Sequence, residues 1–227
     1  NHSEILMAIT WSHSALKNFE TCPRQYHELK VLKNYKQQET EQIAYGKALH
    51  KAAEMYVLKG DPIPAQFSFI EPMLESLLEK KGDRYPELEM AMTVDLSPCG
   101  FKAEDVWVRG IADLVIVDEE AGMAWVVDYK TGSDKYPDKG QLDLMALMLF
   151  AKFPAVERVN SALLFVVRNT IVKHKTHRDA AAKLWKDYRE RVACIEAAIA
   201  SGVWNPKQSG LCKRYCPVIT CEYNGRQ

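Results

Sequence analysis

The stretch GIADLVIVDEEAGMAWVVDYKTG, residues 110–132, decides how this chain is read. Its two halves, ending near Val117 and beginning near Ala124, are rich in valine, isoleucine and aromatics and suit pleated strands. Between them Asp118, Glu119, Glu120 and Gly122 supply a turn. Asp128 and Lys130 are two apart on the second strand, so they project from one face. A reversal centred between Glu120 and Ala121 sets Asp113 directly opposite Asp128, where Cβ atoms stand about 4.5–5.5 Å apart. Two carboxylates at that range repel each other, and their apolar flanks make desolvation costly. A divalent cation between them answers both problems, and hard oxygen ligands suit magnesium or manganese. The arrangement depends on register, because a slip of one residue removes it. The plainer alternative is that Lys130 pairs with one aspartate while the other sits at a wet sheet edge.

Working outward, Ser12 or Ser14 can cap a first helix, and Pro23 suits the first turn of a helix through Tyr26, Leu29 and Leu32. Tyr45, Leu49, Ala52, Ala53 and Tyr56 recur at helical spacing, which predicts a helix over 41–59 closed by Gly60. A third helix is expected over 66–81. Residues 89–96, 106–117 and 124–131 read as strands. They are followed by a helix over 139–152, a buried strand over 159–168, a short edge strand over 171–174 and a long amphipathic helix over 179–200. This order predicts an α/β chain with a central mixed sheet flanked by helices, N-terminal helices and a Cys-rich tail. One domain is expected over 1–227, with a helical part at 12–82, a core at 88–201 and a tail at 205–227. Met7 reads as an initiator and residues 1–6 as lying outside the domain.

Composition narrows the class. With 227 residues and 47% hydrophobic content the chain can fill a sizeable core. Lysine plus arginine and aspartate plus glutamate each total 30, which argues against coating nucleic acid by bulk charge but allows a local basic groove. No apolar run approaches a membrane span and no export signal stands out, so a cytoplasmic location is expected. There is no phosphate-binding G-x-x-x-x-G-K-[ST] loop, so any ATP-driven step would need a partner. Three of the six cysteines, Cys212, Cys216 and Cys221, crowd into the tail in a manner that suggests metal ligation. Cys99 and Cys194 read as packing residues, with Cys194 on the apolar stripe of the last helix. Trp107, Trp125, Trp185 and Trp204 are expected in the core, and Trp11 is uncommitted.

Four segments together resemble the PD-(D/E)XK nuclease superfamily, specifically its RecB-like branch, which includes CRISPR-adaptation and phage exonucleases. They are YGKALH (Tyr45–His50), GIAD (Gly110–Asp113), VVDYK (Val126–Lys130) and the Gln141–Leu142 pair that opens a helix. They match in order the branch's G-x-x-x-H, G-x-x-D, D-Y-K and Q-L-x-x-Y. Met145 departs from the last pattern, standing where a tyrosine is expected. The resemblance implies a restriction-endonuclease-like fold and metal-dependent hydrolysis of DNA phosphodiesters. His50, Asp113, Asp128 and the Tyr129 carbonyl would be metal ligands, with Asp113, Asp128, Lys130 and Gln141 catalytic. Glu89 on the preceding strand could assist a second metal.

The segment SALKNFETCPRQY resembles the first-cysteine segment of branch members that carry an iron–sulfur cluster. That likeness implies a 4Fe–4S cluster on Cys22, Cys212, Cys216 and Cys221, with zinc or a lost cluster as the alternatives. Lys135, Lys139, Lys173, Lys175, Arg178, Arg24, Lys213 and Arg214 could meet phosphates. The expected function is a magnesium- or manganese-dependent DNA exonuclease of recombination, repair or phage DNA processing. A helicase or recombination protein is a possible partner. The alternatives are a structure-specific endonuclease with the same site and a catalytically idle DNA-binding or scaffold subunit.

Overall fold

A computed structural model describes residues 9–36 and 39–225. The expected start at Met7 and the residues before it lie outside the described residues. Contacts divide the chain into two compact units, one built on Thr40–Trp185 and one on Trp11–Glu39 with Lys186–Gln227.

The first unit is a five-stranded sheet in the order β1 (Asp83–Met92), β2 (Val108–Asp118), β3 (Met123–Lys130), β4 (Arg158–Phe165) and β5 (Thr170–His177). All neighbours are antiparallel except β3 and β4, which run parallel and are joined by helix α5 (Gly140–Lys152). The sheet is the expected mixed one, with helices on both faces. On one face lie α3 (Glu41–Lys59), a 3-10 turn (Ala65–Ile70) and α4 (Glu71–Leu78). Leu49, Phe67, Ile70 and Leu74 from these pack on Leu114, Ile116, Val127 and Leu164 of the sheet. On the other face Leu142 of α5 packs with Leu163, Phe165 and Val172. Residues Leu144–Phe150 of α5 are buried almost all round, as befits a helix with apolar residues on every side.

Local chemistry fixes the ends of α3. The Thr40 hydroxyl accepts from the Ile43 amide at 3.3 Å, and Gly60 closes the helix in the left-handed conformation. The expected third helix divides into the 3-10 turn and α4, with Pro72 in the first turn of α4. β1 begins six residues upstream of the expected strand. Pro86 and three acidic residues disguise it, and as the outer strand of the sheet it can carry a proline.

Arg178, expected near phosphates, is structural instead. Its guanidinium donates to the carbonyls of Phe150, Phe153, Pro154 and Val156 and lies over the Phe150 ring. It thereby satisfies carbonyls left free where α5 ends.

The second unit holds α1 (His13–Thr21), capped by Ser12, and α2 (Pro23–Tyr26), continued by a π-helical turn. It also contains α6 (Ala181–Ser201) from Lys186 onward, and the tail. Trp11 stacks on Tyr188 and is among the most buried side chains, so it belongs with the core tryptophans. Trp204 stacks against His27 and Tyr26, and Arg191 grips Glu20 through two hydrogen bonds. Cys194 is exposed rather than packed, since Tyr188, Val192 and Ile195 form the buried stripe of α6.

Candidate active site

The β2–β3 register is the one the sequence suggested. Leu114 pairs with Val127, Val115 with Val126 and Asp118 with Met123, and Asp113 and Asp128 are the residues next beyond the last pair of this ladder. On the other side of β2, Pro86 pairs with Leu114 and Leu88 with Ala112, which sets Glu87 opposite Asp113. Three carboxylates therefore form one row across three adjacent strands.

Glu87 interrupts its own ladder. It adopts a φ of 48°, a left-handed conformation costly for a residue with a side chain, of order 1–3 kcal/mol. Sequence reasoning missed it: the expected strand began at Glu89, beyond the kink. Glu89 is exposed opposite Ile111 and stands outside the cluster. A proline directly before the glutamate was the available signal.

Helix α3 brings His50 to the row. A Cβ on Gly46 would stand 3.3 Å from Thr131 Oγ1, so glycine there permits close approach of the helix to the end of β3. The His50 Nε2 donates to the Tyr129 carbonyl at 3.0 Å, which fixes the proton on that nitrogen because a carbonyl only accepts. Nδ1 then faces Asp113 Oδ1 at 3.3 Å and Glu87 Oε1 at 3.9 Å. Among the described residues, His50, Glu87 and Asp113 are the group whose ligand atoms lie mutually within 4.8 Å. Asp113 is further anchored by the Tyr129 amide, which donates to its Oδ2 at 2.6 Å.

Asp128 is held differently. Gln141, at the start of α5, donates to its Oδ1 at 2.6 Å and accepts from the Lys130 ammonium at 2.9 Å. Lys130 also stands 2.7 Å from Asp128 Oδ2, though not in hydrogen-bonding alignment with it. Asp128, Lys130 and Gln141 thus form a closed triangle beside the His50–Glu87–Asp113 group. Tyr129 contributes its backbone, while its phenol is buried in the core beneath α3.

The electrostatics record crowded negative charge. Burial, then the charge of Asp113, pushes the Glu87 carboxyl up to about 7. The same two causes, partly offset by Lys130, push Asp128 up to about 6. Burial works to lower the His50 pKa, but hydrogen bonding and charge from Asp113 outweigh it and raise the imidazole overall. Carboxylates, an imidazole and a nearby carbonyl make a donor set suited to a hard divalent cation, which would relieve this repulsion.

The G-x-x-D and helix motifs also meet. A Cβ on Gly110 would fall 2.6 Å from the Met145 methyl and 2.7 Å from that of Met148. Met145, which replaces the expected tyrosine, is therefore a core residue packed on Gly110, and it brings no hydroxyl to the site.

A sequence model of the PD-(D/E)XK nuclease superfamily matches residues 10–71 and 64–221. The chain belongs to the PD-(D/E)XK nuclease superfamily. Nucleases of this superfamily use divalent metals, and His50, Glu87 and Asp113 form a candidate site for one among the described residues. Among solved structures, a protein of Eubacterium rectale provisionally named an exonuclease aligns over 93% of this chain and 89% of its own. The identity is 11% and the TM-score 0.51, a likeness of fold alone. The solved structure of SSO0001 aligns over 95% of this chain and 87% of its own, at 14% identity and a TM-score of 0.41. No curated protein matches the sequence significantly. No described helix is long and apolar enough to cross a membrane.

The second unit brings the four named cysteines to one cavity. Cys22, at the start of α2, and Cys212, Cys216 and Cys221 of the tail all line it, and none of the four is in a disulfide. The Lys207 amide donates to Cys22 Sγ at 3.4 Å, the Ser209 amide to Cys212 Sγ at 3.3 Å, and the Gln25 side-chain amide to Cys216 Sγ at 3.6 Å. No three of these sulfurs lie mutually within 4.8 Å. Buried Asn224 knits the tail by donating to the carbonyls of Cys216 and Val218. Arg24, expected near phosphates, donates to the Thr220 carbonyl.

Proposed function

We propose that this chain is a magnesium- or manganese-dependent deoxyribonuclease, acting as an exonuclease in recombination, repair or phage DNA processing. The observation that carries the reading is the row Glu87–Asp113–Asp128 with His50 at one end and Lys130 at the other. The provisional exonuclease name of the Eubacterium rectale protein supports the exonuclease part, and only as an analogy of fold.

Asp113, Asp128, Glu87 and His50 Nδ1 would hold the cation. When bound, the metal lowers the pKa of a coordinated water and offsets charge on the phosphate. In hydrolysis the water oxygen joins phosphorus, the bond to the sugar oxygen breaks, and a proton ends on that oxygen. Lys130 would orient the attacking water and counter charge that develops on the phosphate. Gln141 positions both Lys130 and Asp128, since it bonds to each. With Nε2 of His50 bonded to the Tyr129 carbonyl, Nδ1 would be the nitrogen that ligates.

The cysteine clasp would hold a 4Fe–4S cluster. Four thiols around one cavity and N–H groups aimed at three sulfurs suit cluster thiolates. A tetrahedral zinc site, with bonds of about 2.3 Å, needs all four sulfurs about 3.8 Å apart, and no three of these lie mutually within 4.8 Å. The role is structural, tying Cys22 to the tail within the second unit. Anaerobic purification with iron and sulfide analysis tests it: about four irons per chain are expected, and iron-free, normally folded protein would end the idea.

The nuclease reading is tested by DNA degradation with magnesium or manganese. Wild type is expected to degrade DNA and Asp128→Ala to be inert, and equal activity in both would refute the site. Linear against closed circular substrate separates exonuclease from endonuclease.

A further inference from the structure

We propose that a groove on the sheet face opposite the carboxylates is a binding track for single-stranded DNA; this rests on the nuclease reading and deepens it. α4 covers only part of its face of the sheet. Beside it Trp125, Leu164 and Ile171 form an apolar floor, and Lys80, Lys173 and Lys175 line the rim. The groove continues past Pro72, Met73 and Asn169 into a second hollow, lined by Tyr45, Phe69 and Val167. That end adjoins the active site. Tyr45 precedes Gly46, which approaches Thr131, and Val166 bonds through its amide to the Lys130 carbonyl.

Charge complementarity selects the occupant. Every formally charged side chain on the lining is a lysine, with no aspartate or glutamate. The acids of α4 turn elsewhere, since the charges of Glu71 and Glu75 act on Tyr56 of α3. Lys173 and Lys175 are exposed. Net charge for the chain is zero, so this local excess is an arrangement rather than a bulk property. Phe69 at 44% and Ile171 at 47% exposure leave planar and apolar surface open to water, Ile171 beside the lysines and Phe69 in the hollow that continues from them. Exposed apolar and aromatic platforms continuous with a lysine-lined rim fit bases that stack and phosphates that pair, the chemistry of single-stranded nucleic acid. Following the chain from Asn160 along β4 to Val166 just past its end, the track is about 20 Å long at roughly 3.3 Å per residue. That holds about six stacked nucleotides at 3.4 Å each.

The test is anisotropy of a labelled single-stranded 12-mer oligodeoxynucleotide on the full chain in EDTA, across a salt series. For Lys173→Gln/Lys175→Gln the affinity is expected to fall about ten-fold or more, and the log–log salt slope by about 1.4. Phe69→Ala should weaken binding about five-fold or more with the slope unchanged. With manganese, both variants should hydrolyse bis(p-nitrophenyl) phosphate as wild type does, because that ester reaches the metal site alone. Unaltered 12-mer affinity and slope in the lysine variant, with ester hydrolysis intact, would overturn the track and point to an acidic protein partner instead. A wild type that cleaves neither ester nor DNA would contradict the nuclease reading, while the binding data would still decide the track.

Discussion

Replacing Asp128 by asparagine should make the metal-free protein more stable at pH 8, although it abolishes activity. Asp128 is 6% exposed and titrates near 6 in the fold against an ordinary 3.8. Burial and Asp113 hold its proton on, so the folded state binds a proton more tightly than the unfolded chain. As pH rises from about 4 through about 6 the unfolded carboxyl ionises first and stability falls. Above that range the loss is complete. At 1.36 kcal/mol per pH unit, the rise from 3.8 to about 6 is worth on the order of 3 kcal/mol. Asparagine keeps an acceptor for Gln141 and removes the charge, so Asp128→Asn should melt roughly 6–12 °C above wild type in EDTA at pH 8. Near pH 4 the advantage should vanish. Manganese should then raise the melting temperature of wild type far more than that of the variant. Thermal melts monitored by circular dichroism measure all three. An Asp128→Asn protein clearly less stable than wild type in EDTA at pH 8 would refute the reasoning. It would mean that Lys130 alone satisfies the carboxylate and no cation is needed.

Because Glu87 titrates near 7 and Asp128 near 6, metal binding must displace protons below those values. Manganese affinity should therefore strengthen as pH rises from about 5.5 to 7.5 and level off above, with proton release visible by calorimetry in buffers of different ionisation enthalpy. Lys130→Ala should lower kcat about 100-fold or more while manganese affinity holds or improves, as single-turnover kinetics and a metal titration would show. Arg178→Ala strips donors from four carbonyls and should cost roughly 2–4 kcal/mol in urea denaturation while leaving DNA affinity intact.

The parts of this fold that are periodic were legible. α3 follows its apolar spacing from a threonine cap to a left-handed glycine, and the β2–β3 turn sets its own register through the alternation of buried residues. That register was enough to oppose Asp113 and Asp128 before any coordinates. Glu87 was not legible, because a positive φ breaks the period-two pattern and Pro86 disguises the strand around it. Arg178 and Cys194 failed for a different reason. Whether an arginine meets phosphates or carbonyls, and whether a thiol faces core or water, is decided by elements distant in sequence. Trp11 is a similar case, since its partner Tyr188 lies far along the chain. Gln141 was placed on the right helix, but its bridge between Lys130 and Asp128 emerges only once α5 is laid across the end of β3.

The most direct trial of this account is diffraction from crystals soaked in manganese, with data collected at the manganese absorption edge. An anomalous peak within coordination distance of Asp113 and Asp128, contacted by His50 Nδ1 or Glu87, is the predicted result. Ordered manganese bound elsewhere, with these side chains left as they stand in the metal-free protein, would contradict it.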